Sequence, residues 1–395
     1  MSKVVTGIDV GTYHVKVVIA ELAEDPRQPP RVLGSGYAES RGVKQGYVIS
    51  VEETSRSIAA AVLQASRAAR VPVKRAYVSL GGIGLDEAFA RGEAVVERGD
   101  SEITERDVPR AIAASEKALA PSATLNRKII HTIPLRFLVD GVAVMGGNPI
   151  GMKGMRISVE TLFITCVERH VRDLVEAVER AGVEVEDLVA SPIAASFVAT
   201  SKMQKRVGCV LANVGSETLS MIIFEDTKPI SLKIFPVGGA DITNDLALGL
   251  RISPEEAEQL KVGAVMNSPI SKKKVDDIIN RRLAEMFKLI EAHLKRIGKS
   301  ELLPAGALLT GGGSSLHTVP DVAKLILKLP ARIASLSEST ATKMQLSDGI
   351  WSVAYGLTVW GFTSGEGIEH NEASSFSDLK DTFKGIARYL KKFLP

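Results

Sequence analysis

One device occurs twice in this chain, and that repetition constrains the fold more than any other feature. Residues 4–9 form a mostly β-branched run that reaches Gly11-Thr12 and restarts as His14-Val15-Lys16-Val17-Val18-Ile19-Ala20. The pattern predicts a strand, a tight turn and a returning strand, with a third strand over 31–38. Residues 207–214, the turn Gly215-Ser216-Glu217 and residues 218–224 repeat it, with a third strand expected over 228–237. The aligned cores are Asp9-Val10-Gly11-Thr12 and Asn213-Val214-Gly215-Ser216, 204 positions apart. At 395 residues the chain is long enough for two or three domains and more than one core.

A Gly/Thr or Gly/Ser hairpin tip has a specific chemical use. Glycine lets backbone approach an anion, successive N–H groups form a nest, and the hydroxyl adds a donor. A carboxylate at the end of the first strand can hold Mg2+ through water. Two such tips facing each other would clamp a polyphosphate; one alone reads better as a plain hairpin. A third element, Ala307-Leu308-Leu309-Thr310-Gly311-Gly312-Gly313-Ser314-Ser315, is an apolar strand entering three glycines, with a helix expected over 319–329. It lacks the dinucleotide-binding spacing and has no P-loop lysine. A fourth, Ser253-Pro254-Glu255-Glu256, reads as a helix cap and capping box, after which Glu258 and Lys261 share a face. By itself that pair is an exposed ion pair of little energetic weight.

Composition narrows the class. Hydrophobic residues are 45% and charged residues 24%, which is globular, and no apolar run reaches the length of a membrane span. The net charge of +3 is too even for a nucleic-acid binder. The first residues lack a signal-peptide pattern, so a cytoplasmic chain is expected. Cys166 and Cys209 lie in strand-like runs and are expected to be buried free thiols. The six histidines have no metal-ligand spacing.

Taken together, the elements resemble the actin-like ATPase superfamily, and within it the FtsA family of bacterial cell-division proteins. The likeness runs end to end. It includes Ser40-Arg41-Gly42-Val43-Lys44-Gln45-Gly46, Asp140-Gly141, Pro149-Ile150-Gly151-Met152, Pro236-Val237-Gly238-Gly239 and Ile242-Thr243-Asn244-Asp245. It implies an α/β, actin-like (ribonuclease H-like) two-lobed fold with an FtsA-type inserted 1C domain and a C-terminal amphipathic helix. Subdomain 1A would take 1–82, 161–200 and 340–362; the insert 83–160; subdomain 2A 201–241 and 305–339; subdomain 2B 242–304. Within the insert, a capped helix is expected over 101–118 and a strand pair over 127–140.

The resemblance also implies a site for ATP and Mg2+. Asp9, Gly11, Thr12, Tyr13 and Lys16 would form the first phosphate loop, with Asp9 holding Mg2+ through water. Asn213, Gly215, Ser216, Glu217 and Thr218 would form the second, with Gly238 and Gly239 beside it. Glu258 and Lys261 would hold ribose or adenine, with Gly311, Gly312, Gly313 and Ser314 beneath the adenosine. Three positions depart from the superfamily pattern. Asn213 stands where an Asp is usual and removes a negative partner from the magnesium shell. Glu217 would repel a terminal phosphate if it points inward and would be harmless if outward. Ser191, not an acid, precedes Pro192, so a water-activating base has no candidate. The expectation is ATP binding with slow or absent hydrolysis.

The C-terminal segment carries its own signal. Residues 363–377 hold three acids and no Lys or Arg, whereas 378–395 hold five bases and two acids. Leu379, Phe383, Ile386, Leu390 and Phe393 recur at helical spacing, flanked by Tyr389, while Lys384, Arg388 and Lys391 fall on another face. A linker followed by a basic amphipathic helix reads as an anchor to anionic lipids. The resemblance agrees. It further implies binding of the FtsZ C-terminal tail through subdomain 2B, with Arg282 and Lys295 on a helix (or helix pair) over 276–298, together with self-association into filaments, other divisome partners, and a peripheral position on the inner face of the membrane at the septum. Rivals are a PilM-like pilus-assembly protein of the same fold and a sugar or acetate kinase. The kinase would need an acid near the second phosphate loop, where Asn213 and Ser220 stand.

Overall fold

The computed structural model describes residues 3–23, 29–97, 99–264, 270–335 and 349–364. The expected linker and amphipathic helix, with Leu379, Phe383, Lys384, Ile386, Arg388, Tyr389, Leu390, Lys391 and Phe393, lie outside them.

The chain opens with β1 (Val4–Val10), β2 (His14–Glu21) and β3 (Arg31–Glu39), an antiparallel meander in which Asp9 faces Lys16. A short ribbon, β4 (Val43–Lys44) and β5 (Tyr47–Val48), leads into α1 (Val51–Ala69), whose N-cap Ser50 accepts the Glu53 N–H. Such a cap contributes about 1 kcal/mol. Strand β6 (Arg75–Leu80) then pairs parallel with β1.

An insert follows: β7 (Leu85–Val95), α2 (Asp107–Lys117), α3 (Pro121–Thr124), β8 (Arg127–Val139), β9 (Val142–Ala143) and β10 (Arg156–Val167), with sheet order β7-β10-β8-β9. Its helix begins six residues later than Ser101. That residue has φ +54° and caps nothing; instead the Asp107 carboxylate accepts the Thr104 N–H at 2.8 Å. The strand pair expected over 127–140 is one long strand. Pro134 sits beside a register shift, where its missing N–H costs no ladder bond.

The chain returns through α4 (Glu168–Arg180) and β11 (Glu184–Ala190), completing a sheet of order β11-β6-β1-β2-β3. Helices α5 (Ser191–Ala199) and α6 (Lys202–Val207) cross to the second lobe. There β12 (Cys209–Val214), β13 (Leu219–Glu225) and β14 (Lys228–Phe235) form the second meander. Helices α7 (Gly239–Leu250), α8 (Pro254–Lys261) and α9 (Lys272–Arg296) follow, then β15 (Ala307–Thr310), α10 (Val319–Leu327), β16 (Ala331–Ile333) and α11 (Ser352–Ser364). The helix or helix pair expected over 276–298 is thus one continuous helix, which starts at Lys272 and ends at Arg296.

The second sheet has order β14-β13-β12-β15-β16. Each sheet places its meander's first strand centrally, pairs it antiparallel with the second, and flanks it with a parallel fourth strand. The lobes are therefore topological duplicates, as the repeated hairpin requires. Helix α11 returns to lobe 1, against α5 and β1, and the Tyr355 hydroxyl donates to the Pro30 carbonyl at 2.9 Å. The inner faces share one core, in which Ile8, Val17 and Val78 meet Leu211, Ile222 and Phe224. Burial of such side chains stabilises by roughly 1.5–3 kcal/mol each. Lobe 2 has a further core against α7, α9 and α10, and the insert has its own around Phe137 and Ile157. Cys166 and Cys209 are buried and free, and burial pushes their thiols up to about 12 and about 11. Neither is a nucleophile near neutrality.

Candidate functional site

The two glycine tips face a common cleft between the lobes. They share one geometry: the Gly11 N–H donates to His14 O at 3.2 Å, and the Gly215 N–H donates to Thr218 O at 2.9 Å. At both positions a Cβ would press on that same carbonyl, at 2.9 and 2.8 Å, so the tight turn itself demands glycine. The cleft encloses about 400 Å³ and brings together Asp9, Gly11, Thr12, Tyr13, Lys16, Asn213, Gly215, Ser216, Thr218, Gly239, Glu258, Lys261, Gly311, Gly312 and Gly313. Its volume falls in the range of small-molecule sites.

Asp9 is buried and fixed at both oxygens. Ser79 Oγ donates to Oδ1 at 2.8 Å, and Lys16 Nζ to Oδ2 at 3.1 Å. The lone pairs left over suit a water of a hydrated cation better than direct ligation. Among the described lining residues only Asp9 and Glu258 are acids, so a metal here would arrive with its phosphates. Asn213 directs Oδ1 at Gly311. With φ +89° and no room for a Cβ beside that oxygen, Gly311 admits only glycine. Ser191 lines the cleft at the start of α5.

On the other wall, Lys261 spends all three N–H groups internally: on Glu258 Oε2 at 2.6 Å, Thr243 Oγ1 at 2.8 Å and Gly239 O at 3.1 Å. Glu258 and Lys261, expected to hold ribose or adenine and readable alone as an exposed ion pair, form a buttress in which the lysine turns inward to the buried Thr243 of α7. Lys261 therefore positions Glu258, whose other oxygen remains available as an acceptor.

Three expected residues are not among the cleft's lining. The Gly238 N–H is held by the Asp241 carboxylate at 2.8 Å, and the next two amides, Gly239 and Ala240, donate to Gly215 O and Ser216 O at 2.9 and 2.7 Å. The start of α7 thus braces the second tip. Ser314 is buried, and its hydroxyl donates to Gly311 O at 2.7 Å. Glu217 points away from the tip and accepts the Gln45 backbone N–H of lobe 1 at 2.6 Å.

Several lining residues carried no sequence signal. Ser79, Gly81 and Gly82 end β6 or follow it, while Gly349, Ile350 and Ser352 precede or open α11. Gly46 and Asn244 lie in segments the resemblance had marked. His14, also lining, has its pKa lowered by burial and by Lys16.

Two duplicated sheets of this order around a shared cleft define an actin-like fold. Solved structures agree: the fold matches a PilM-PilN type IV pilus biogenesis complex at TM-score 0.67, with 17% identity over 90% of this chain and 98% of the other. It also matches MreB5 of Spiroplasma citri bound to ADP at TM-score 0.52, with 12% identity over 91% and 97%. The family model described as cell division protein FtsA matches residues 210–356, and that described as the SHS2 domain inserted in FTSA matches 88–165. The cell division protein FtsA of Bacillus subtilis is 30% identical over 349 residues, 83% of this chain and 78% of that protein. The chain belongs to the FtsA family of cell-division proteins. No described helix is long and apolar enough to cross a membrane.

Proposed function

We propose that the cleft binds ATP with Mg2+, and that the nucleotide-bound head assembles into filaments that hold FtsZ at the inner membrane face. The observation that carries this reading is the pair of matched glycine tips converging on one cleft, with Glu258 and Gly311–Gly313 on its other walls. The tips supply backbone N–H groups and the Thr12 and Ser216 side chains to a polyphosphate. The free oxygen of Glu258 accepts from ribose hydroxyls, and the glycine loop leaves room for the adenine plane. Mg2+, when bound, neutralises phosphate charge, with Asp9 holding one of its waters. Among the described lining residues the two acids, Asp9 and Glu258, are assigned to a magnesium water and to ribose, which supports slow or absent hydrolysis. Adenine nucleotide was found in the MreB5 of similar fold.

The basic amphipathic pattern over 378–395 supports a lipid anchor. Each base near an anionic leaflet contributes about 1 kcal/mol, so one tail binds reversibly and many tails on a filament bind tightly. Helix α9, with Arg282 and Lys295, is the face proposed for the FtsZ tail, and further divisome proteins would join the assembled head. Cosedimentation with anionic liposomes, with and without an FtsZ tail peptide, tests the reading. Replacing Phe383→Glu and Leu390→Glu together should release the protein; unchanged binding would refute the anchor. Binding of a pilus-type partner peptide in place of the FtsZ tail would favour the pilus-assembly reading.

A further inference from the structure

Glu87 lies on β7, the edge strand of the insert sheet, and its side chain is only 8% exposed. An enclosed carboxylate is costly unless donors surround it. Among the described residues, the hydrogen-bond donors to its carboxylate come from lobe 2. Oε2 accepts the Leu232 N–H at 2.7 Å and the Ser231 hydroxyl at 2.8 Å. That hydroxyl proton is thereby used, so His293 Nε2, 2.7 Å from Ser231 Oγ, is the donor of that pair. Its Nδ1 is then the acceptor for Arg296, at 2.9 Å. The Arg296 guanidinium also lies 3.7 Å from Glu87 Oε1. Every proton in this relay is directed toward Glu87, from the last turn of α9 through β14 to the insert.

The placement solves a problem for both strands. β14 is the edge of the lobe 2 sheet, and the Leu232 amide faces outward with no neighbouring strand; Glu87 satisfies it. Two further bonds flank the relay: Lys233 Nζ to Asp86 at 2.8 Å and Lys228 Nζ to the Leu135 carbonyl at 2.6 Å. Yet the insert is continuous in chain with lobe 1. Ile133, Leu162 and Ile164 sit in the shared core, and the Ala190 N–H donates to His131 Nε2 at 3.0 Å. The insert is thus fastened to lobe 1 by chain, to the core that both lobes share, and to lobe 2 in addition by a polar relay centred on one carboxylate.

We propose that Glu87 makes the insert a strut between the lobes, a third bridge besides α5–α6 and α11, whose polar end limits how far lobe 2 can swing from lobe 1. The strut acts in the head with or without nucleotide. It also links the insert mechanically to α9, because His293 and Arg296 belong to that helix.

Distance measurements between spin labels on the full chain test this. One label replaces Lys153→Cys in the insert; the second replaces Lys324→Cys in lobe 2 or Arg67→Cys in lobe 1. Glu87→Ala should broaden the 153–324 distance distribution and leave the 153–67 distribution unchanged, and the Leu232 amide should exchange about tenfold faster or more. Ser231→Ala, which removes the relay but keeps the Leu232 bond, should broaden the first distribution less. If Glu87→Ala fails to fold, Ser231→Ala decides alone. A 153–324 width equal to that of the parent in Ser231→Ala, or in a folded Glu87→Ala with a fast-exchanging Leu232 amide, overturns the proposal. So does equal broadening of both distances.

Discussion

The Glu217 carboxylate accepts the Gln45 backbone N–H at 2.6 Å, joining the second glycine tip to a loop of the opposite lobe 172 residues away. Gln45 is held at φ +49°, and the next amide, Gly46, donates to Thr12 Oγ1 at 3.1 Å in the first tip. One short loop therefore contacts both tips. A charge-assisted bond of this kind contributes about 1.5–3 kcal/mol. Glu217→Ala should speed release of a fluorescent ATP analogue severalfold in stopped flow, by letting the cleft open. A release rate equal to that of the parent would mean that the contact does not gate the cleft.

The Lys261 buttress makes a second prediction. Removing it leaves Glu258 without its cation and takes from Gly239 O one of its two side-chain donors, at a cost of about 1–3 kcal/mol. Lys261→Ala should weaken ATP binding by tenfold or more, whereas Glu258→Gln should weaken ATP more than a nucleotide lacking ribose hydroxyls. Equal losses for both ligands, measured calorimetrically, would remove Glu258 from ribose recognition.

Asn213 predicts a weak magnesium requirement. Asn213→Asp adds a negative charge close to the phosphate tips and should steepen the dependence of ATP affinity on Mg2+. Binding titrations at several Mg2+ concentrations check this. Parallel curves for both proteins would place Asn213 outside the metal's hydration shell, and unmeasurable binding by both would remove nucleotide altogether.

His293 sets a pH dependence. Burial, Arg296 and Lys233 lower its pKa from 6.5 to about 4. Between those values the unfolded chain binds the proton and the folded chain does not, so stability rises with pH across that window and is lost as pH falls through it. Burial raises Glu87, which acts with opposite sign: its folded form holds a proton longer than the unfolded chain does, and stability falls as pH rises through its titration. His293→Gln should flatten the difference in urea midpoint between pH 4.5 and 7. An unchanged difference would show that His293 is not the titrating group.

Arg282 and Lys295 should behave differently. Arg282 is bidentate to Asp245, at 2.6 and 2.8 Å, and pairs with Glu285 at 2.9 Å, which raises its pKa. A peptide carboxylate must compete with these partners. Lys295 is 68% exposed and paired only loosely with Glu291, at 3.5 Å. Arg282→Ala should lower the melting temperature as well as affinity for an FtsZ tail peptide, and Lys295→Ala affinity alone. A stable Arg282→Ala protein with unchanged affinity would exclude Arg282 from both roles.

The repeated hairpin was legible because its cause is local. Alternating apolar residues make the strands, and a turn that crowds its own carbonyl demands Gly11 and Gly215. The strand entering Gly311 was legible for the same reason. The Ser101 cap failed because Asp107, three residues past Thr104, captures the Thr104 amide and hydroxyl first. Ser79 and Ile350 were invisible, since nothing near them in sequence differs from ordinary strand or helix ends.

By itself, then, the sequence determined two like sheets, two glycine hairpin tips, a glycine loop and a basic amphipathic pattern over 378–395, because each follows from neighbours a few residues apart. Only the tertiary structure decided which way Glu217 turns, that Lys261 serves Glu258 before any ligand, and that Glu87 of the insert belongs electrostatically to lobe 2. Those outcomes rest on partners between three and well over a hundred positions away. Burial selects among the possible partners, because an enclosed charge without one is costly.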